Sequence, residues 1–135
     1  ISLEDKISNY LSSQLIQGLH ILNGIDYTSQ LTVKHLISNT SGIPDYFFHK
    51  QPSGKTAADE LLSGRDESWD LDKTIELVKN LKPNFRPGQK GKASYSDTNY
   101  QLLGRIIETI TGKTIGQVFN EYIFDVLNLQ NTYTP

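Results

Sequence analysis

The stretch 95–112, Tyr-Ser-Asp-Thr-Asn-Tyr-Gln-Leu-Leu-Gly-Arg-Ile-Ile-Glu-Thr-Ile-Thr-Gly, decides the fold of this chain. Its apolar residues recur at intervals of three and four, which is typical of an amphipathic α-helix. Gly112 follows the last apolar turn, where glycine readily adopts the left-handed conformation that ends a helix. The pattern therefore predicts a helix over 98–111. Its apolar positions are Leu102, Leu103, Ile106, Ile107 and Ile110.

A second strong helix is predicted directly after Gly112. Thr114 and Gln117 have the spacing of a capping box, in which each side chain bonds the other's backbone N–H. The apolar pattern that follows continues to about position 127. The face that we expect to be buried comprises Ile115, Val118, Phe119, Tyr122, Ile123 and Val126 or Leu127.

Other segments are also mostly helical in pattern. A helix is predicted over 71–81 behind Asp70 or Asp72, and a short one follows Thr32 and stops before Pro44. Weaker helical patterns occupy 8–15 and 57–62. Strands are nearly absent, with at most one short hairpin between positions 18 and 27, around Asn23-Gly24. We therefore predict an all-α fold in a single domain, residues 1–135.

Composition excludes several classes of function. The 135 residues carry a net charge of −2, which gives no general attraction for nucleic acid. Cysteine is absent, so disulfides, thiolate nucleophiles and cysteine zinc sites are excluded. His20, His35 and His49 are too scattered for a helical metal pair, and we expect neither metal nor cofactor. No apolar run approaches the ~20 residues that span a bilayer.

A basic loop precedes the stretch 95–112. Residues 82–94 contain two prolines and two glycines, which favours a loop. No acidic residue occurs between Glu76 and Asp97, whereas five basic residues do. The loop is either a cationic rim for an anionic substrate or a solvated surface loop, and the second is the simpler interpretation. The basic residues are Lys79, Lys82, Arg86, Lys90 and Lys92.

Known nucleophile motifs are missing from the sequence. No serine is followed three residues later by lysine, and no Lys-Thr pair is followed by glycine. One constellation survives, which is Tyr95-Ser96-Asp97 between the Pro87-Gly88 loop and the strongest helix. A tyrosine there could move protons if a neighbouring cation lowered its pKa from about 10. On pattern alone, a surface or packing tyrosine is the default interpretation.

The motifs around Tyr95 resemble a known family. Phe85-Arg86-Pro87-Gly88, then 95–104 and Ile106-Ile107-Glu108, are similar to the middle of the β-lactamase-related serine hydrolases. That group includes class C β-lactamases, D-Ala-D-Ala carboxypeptidases, D-aminopeptidases and esterases. Residues 31–44, with the turn Thr-Ser-Gly-Ile-Pro, and 123–132 match in the same order. The resemblance implies the helical lobe of the β-lactamase/transpeptidase-like fold, without its α/β sheet domain.

The resemblance also implies a mechanism for a longer parent protein. Its serine, from a Ser-x-x-Lys motif that this chain lacks, would form an acyl-enzyme with a β-lactam, a D-amino-acid peptide or an ester. Tyr95 would be catalytic and carry protons. The partner of this chain would be the missing α/β domain of its own parent, and the chain alone would be inactive. Ile1 is neither an initiator methionine nor part of a signal sequence, so we expect a longer protein. The compartment is unknown from this chain, although the family suggests an extracytoplasmic one.

Asp97 departs from the pattern, because the family usually has asparagine there. The resemblance makes Asp97 substrate-binding, yet an ionised carboxylate accepts hydrogen bonds and cannot donate them. This favours an esterase or amino-peptidase over β-lactam hydrolysis. Asp97 could equally cap the helix that begins near Thr98. A non-catalytic binding protein of the same fold is the alternative function.

Overall fold

The computed structural model describes residues 1–51, 53–65 and 69–134. Six α-helices and one pair of strands are assigned within these ranges, together with short 3₁₀ turns at Ile7–Asn9 and Thr28–Gln30. A π-helical turn, Asn120–Phe124, extends the last helix. In chain order the elements are α1 (Ser13–Ile16), β1 (Ile21–Leu22), β2 (Ile25–Asp26), α2 (Val33–Ile37), α3 (Ala57–Leu62), α4 (Leu71–Lys79), α5 (Asp97–Thr111) and α6 (Ile115–Phe119).

The long helix α5 organises the packing. It contacts α2, α4 and α6, and α1 packs against α4. Leu102 and Ile106 are buried completely or nearly so, which confirms the inward face expected at the middle of α5. Burial of this apolar area is the main stabilising contribution to the fold. The core cluster comprises Ile7, Leu11, Ile16, Leu19, Leu31, Leu36, Ile43, Leu71, Ile75, Val78, Leu102 and Ile106.

Local signals set the helix ends much as the sequence predicts. Thr32 and Thr114 each accept a hydrogen bond from the backbone three residues on and complete capping boxes, with His35 and Gln117. Asp70 caps α4 by accepting from the N–H of Lys73. Gly112 ends α5 at a φ of 67°, in the left-handed region. Segment 82–94 contains no helix or strand, as predicted.

The all-α prediction is wrong, because the chain contains a small antiparallel sheet. Strands β1 and β2 pair Ile21 with Asp26 and Leu22 with Ile25. The turn uses Asn23 and Gly24, both at positive φ, which two-residue hairpins require. The Asn23-Gly24 signal predicts this hairpin, whereas the helical patterns elsewhere in the sequence favour an all-α class.

The prediction of a buried face in the last helix is also wrong. None of the residues of α6 or of the π-helical turn is buried. Tyr122, Val126 and Leu127 are 62%, 71% and 62% exposed. A helical apolar pattern predicts a face that avoids water, but it does not provide the surface that covers this face. We call residues 115–134 the C-terminal segment.

Among the residues that the structure describes, no helix combines the length and the apolar character needed to cross a bilayer.

Candidate functional site

Two loops position the residues in front of α5. The turn 39–45 runs beside the loop 82–96, and backbone hydrogen bonds join them at three levels. Asn84 N donates to Gly42 O at 2.8 Å, Gly88 N to Thr40 O at 2.9 Å, and Ser94 N to Asn39 O at 2.9 Å. We call this pair the paired loops. Their bonds fix the approach of the chain to Tyr95, because both sides of the loop are attached to one turn.

Gly42 lies where the paired loops come closest. Its φ is 75°, and a Cβ added there would lie 2.0 Å from the carbonyl oxygen of Phe85. No side chain fits that space, so glycine is required by conformation and by contact. The same carbonyl oxygen lies 2.9 Å from Nε2 of the buried His20. Burial, as the main cause, lowers the pKa of His20, so its neutral ring donates to the oxygen at neutral pH.

Asn99, buried on α5, ties the turn to the helix. Its side-chain oxygen accepts from Ser41 Oγ at 2.8 Å, and its amide donates to Asn39 Oδ1 at 3.0 Å. Asn39 in turn donates to the hydroxyl of Tyr100 at 3.2 Å. Each buried polar atom in this chain of bonds has a partner, which makes such a network rigid. The first turn of α5 therefore has a fixed orientation relative to the paired loops.

Asp45 caps α5 from outside the helix. Its carboxylate accepts from the backbone N–H of Asp97 at 2.9 Å. The other oxygen accepts from the N–H groups of Phe47 and Phe48, at 2.7 and 3.0 Å. The N-cap position belongs to Ser96, whose side chain makes no capping bond. The hypothesis that Asp97 caps the helix is therefore wrong for this structure, because Asp97 is the first helical residue and Asp45 takes the capping role.

Tyr95 stands at the junction between the loop and α5. Its side chain is 59% exposed, and its hydroxyl donates to Asp97 Oδ1 at 2.6 Å. The ring of Tyr100 lies against it, with centroids 5.7 Å apart. The adjacent Ser96 is fully buried and donates to Pro44 O at 3.1 Å. The backbone is thus anchored on one side while the phenol on the other side faces solvent.

The charges around Tyr95 oppose its ionisation. The hydrogen bond to Asp97 is the largest cause that raises the pKa of Tyr95 to about 12, and the charge of Asp45 acts in the same direction. No cation contributes among the described residues. The condition that would make Tyr95 a base, a neighbouring positive charge, is therefore absent from this part of the chain. At neutral pH the phenol is a hydrogen-bond donor and Asp97 is its acceptor.

The structure brings both predicted site residues together and adds others that the sequence analysis missed. The sequence analysis assigned no function to four residues of this region, namely Asn39, Asp45, Asn99 and Tyr100. Of these, Asn39 lies within the motif 31–44, and Asn99 and Tyr100 lie within the motif 95–104. The resemblance could have suggested that segments 39–44 and 95–104 are in contact, since both belong to the family pattern. No group of metal-ligating side chains occurs among the residues described.

This arrangement defines a class of protein: a helix-rich unit with a small hairpin that presents an exposed tyrosine–carboxylate pair on a rigid support. Such a pair can hold and transfer a proton, and it needs a nucleophile and a cation from elsewhere to act on a carbonyl. The sequence matches the family model described as Beta-lactamase over residues 1–135. The chain belongs to the β-lactamase family of serine hydrolases.

Two relatives of this chain have the names of hydrolases. An N-acetylmuramyl-L-alanine amidase of Bacillus subtilis (strain 168) is 29% identical over 136 residues, covering 100% of this chain and 28% of the relative. A protein of Escherichia coli (strain K12), provisionally named D-alanyl-D-alanine carboxypeptidase, is 32% identical over 96 residues, covering 70% of this chain and 22% of the relative. The chain therefore spans about a quarter of the length of these curated relatives.

A solved structure has the same fold. The D-stereospecific amidohydrolase from Streptomyces sp. superposes with a TM-score of 0.72 at 27% identity, covering 96% of this chain and 36% of that one. The small sheet and the helices of this chain are therefore part of a β-lactamase-like fold.

Proposed function

We propose that this chain is the helix-rich lobe of a longer serine hydrolase that forms an acyl-enzyme. The observation that carries the proposal is the Tyr95–Asp97 hydrogen bond at 2.6 Å on a support of paired loops. The relatives support the proposal that the protein is longer, because most of their own length lies outside the region that this chain matches. The remainder of such a protein would supply the serine, the lysine and the α/β domain that packs against this lobe.

In this proposal Tyr95 is the catalytic proton carrier. A lysine ammonium near the phenol would offset the two carboxylates and lower the raised pKa of Tyr95, because an opposite charge favours the phenolate. The tyrosine could then take the proton of the attacking serine and deliver it to the leaving group. The position at the helix entrance keeps the hydroxyl in one place during both steps.

Asp97 is the proposed determinant of substrate choice. Its carboxylate accepts from Tyr95 and places negative charge beside the proposed proton carrier. A penicillin carboxylate approaching it would meet repulsion, whereas a neutral ester, an amide or a protonated amino group would not. The substrate class favoured is therefore an ester, or a D-amino-acid amide or peptide that has no carboxylate next to the bond that is cleaved. An extracytoplasmic location fits relatives whose names refer to cell-wall substrates.

Asp97→Asn in the longer protein tests this choice. Restoring an amide donor in place of a charge should raise acylation by a penicillin relative to a neutral ester, by roughly ten- to a hundredfold. The measurement is the second-order acylation rate for one penicillin and one ester in both forms. A Tyr122→Phe variant, altered on the exposed C-terminal segment, is the control for general effects. Equal ratios in the two forms would remove Asp97 from substrate recognition.

The 135-residue chain alone should have no hydrolase activity, because its sequence holds no serine–lysine nucleophile motif. The check is turnover of nitrocefin and p-nitrophenyl acetate by the purified chain. Turnover that follows the protein through purification and disappears in Tyr95→Phe would contradict the proposal. Slow ester cleavage that persists in this variant reflects surface histidine or lysine and leaves the proposal intact.

A non-catalytic binding protein is the second candidate function. The raised pKa of Tyr95 favours it, because a phenol with a pKa of about 12 is a donor and not a base. The two functions differ in the sequence of the longer protein, which must contain Ser-x-x-Lys for the first function. They also differ in mass spectrometry with an active ester, since only the hydrolase would be acylated at the serine of that motif.

A further inference from the structure

A cavity of about 540 Å³ lies between α2 and the basic loop. One wall is a face of α2 and its C-terminal end, with Lys34, His35 and Ser38. The other wall is the loop from Gly88 to Ala93, which carries Lys90 and Lys92. The backbone bonds at Gly88 and Ser94 hold this loop to residues 39 and 40 at both of its ends. The space is therefore a product of the fold and not of a loose loop.

His35 presents an N–H group to this cavity. Its Nδ1 accepts from the backbone N–H of Thr32 at 3.3 Å, so the proton of the neutral ring is on Nε2. Burial is the main cause that lowers the pKa of His35, which keeps the ring neutral at neutral pH. Nε2 points at Gly88, where an added Cβ would lie 2.8 Å from it. Glycine at 88, with φ at 67°, has no side chain that would crowd this edge of the ring.

The hydroxyl groups in the cavity are already used. Ser38 Oγ donates to Lys34 O at 2.7 Å and lies 2.8 Å from Thr40 Oγ1. Since the proton of Ser38 is committed, the hydroxyl of Thr40 donates to Ser38. The charged and ring groups of the lining that can donate to a ligand are three lysine ammonium groups and the imidazole N–H, and the side-chain amide of Gln89 is a further donor.

Positive charge exceeds negative charge around the cavity. Glu4 is the acidic residue in its lining, and it pairs with Lys34 at 3.0 Å. Both side chains of that pair are more than half exposed, so the pair contributes little and can open. Lys90 and Lys92 are exposed and face the same space from the opposite wall.

We propose that this cavity binds a phosphate-type anion between α2 and the basic loop. A phosphate group has several charged oxygens, so it can accept from lysines on both walls and from His35 Nε2–H at once. A carboxylate has two oxygens and one charge, so we expect it to bind the lysine donors of one wall and not those of both walls at once. Free phosphate can reach both walls with one group, whereas a phosphodiester polymer, which has two free oxygens and one charge in each unit, can reach them with neighbouring units. The proposal does not depend on the proposed hydrolase function, because it uses no residue of the Tyr95 site.

The test is an NMR titration of the ¹⁵N-labelled chain with three probes at constant ionic strength: inorganic phosphate, a short glycerol phosphodiester chain, and acetate. We expect saturable shifts at the His35 ring nitrogens and at the amides of the loop 88–92 with phosphate, and weaker ones with acetate. Tighter binding of the phosphodiester chain than of phosphate would identify a polymer as the ligand, and the reverse would identify a small ion. Absence of saturable shifts, or equal response to acetate and phosphate, would overturn the proposal.

Matched variants separate a site from general charge. Lys90→Ala with Lys92→Ala should weaken phosphate binding by about tenfold, as expected for the loss of two exposed ion pairs. Lys50→Ala with Lys82→Ala removes the same charge outside the cavity lining and should change binding by less than about twofold. His35→Gln keeps an acceptor for Thr32, because glutamine is a usual capping-box partner, but removes the ring donor. It should weaken binding with folding unchanged. Equal losses in both lysine pairs would overturn the proposal.

Discussion

The paired loops and the C-terminal segment differ in which side chains they bury and which they expose. Around the paired loops, buried polar atoms such as those of Ser41 and Asn99 meet partners inside the same chain. In the C-terminal segment, large apolar side chains such as Tyr122 and Leu127 lie exposed. The buried side chains of Ser41 and Asn99 thus have hydrogen-bond partners within the described residues. The C-terminal segment has the apolar spacing of a buried helix, although large apolar side chains within it are exposed.

This difference separates what a local pattern determines from what it leaves to the rest of the protein. Capping boxes and helical periodicity act over three or four residues, so both regions form their helices. Burial requires a second surface. Helix α5 packs on α2 and α4 and has buried residues, whereas α6 contacts α5 and yet no residue of α6 or of the π-helical turn is buried. The site is built in the first region, where the backbone cannot shift without breaking several hydrogen bonds.

The largest expected effect contrasts two leucines. Leu102 is fully buried and Leu127 is 62% exposed. Leu102→Ala should lower the free energy of unfolding by about 2–5 kcal/mol, because it leaves a cavity in the core. Leu127→Ala should change it by less than about 0.5 kcal/mol. Urea unfolding of the 135-residue chain, followed by circular dichroism, measures both. A comparable loss in Leu127→Ala would mean that the C-terminal segment is covered in solution, and the comparison would fail.

A smaller contrast concerns two glycines with left-handed backbones. Gly42 has φ 75° and no room for a Cβ, whereas Gly112 has φ 67° and nothing within 4 Å of that position. Gly112→Ala should cost about 1–2 kcal/mol for the backbone conformation alone. Gly42→Ala should cost at least about 2 kcal/mol more, since it also pushes the paired loops apart and breaks their bonds. Thermal unfolding of the two variants side by side checks this. Equal losses would show that the loops separate easily.

Much of the fold follows from the sequence because its signals are local. The helix over 98–111, its end at Gly112 and the caps at Thr32 and Thr114 depend on neighbours within a few residues. The fold class was missed because strands of two residues are too short to have a period, and the Asn23-Gly24 turn was the only signal. The exposure of the C-terminal segment could not be predicted from its helical spacing of apolar residues. This spacing identifies one apolar face, but it does not show whether another part of the protein packs against that face.

The site was only half predictable for the same reason. Tyr95 and Asp97 are two residues apart, so one motif contains both. Asp45 caps α5 from 52 positions away, and no local pattern reports that bond. The bond between Tyr95 and Asp97 likewise depends on the direction that the paired loops impose on the chain. A proton-carrying role of Tyr95 requires a cation near the phenol, which the resemblance assigns to a lysine outside this chain, and the described residues provide carboxylates.

The most direct test of the account is acylation of the longer protein that we propose, in its Tyr95→Phe form. The substrate must be an amide with a poor leaving group, because a good one needs little proton donation. The account predicts a rate lower by about 10²–10⁴-fold, the usual contribution of a positioned proton-transfer group. Tyr100→Phe, which keeps the neighbouring ring and loses only its hydroxyl, should stay far closer to the original rate. A Tyr95→Phe rate near that of the unaltered protein would contradict the account and leave Tyr95 as a packing residue.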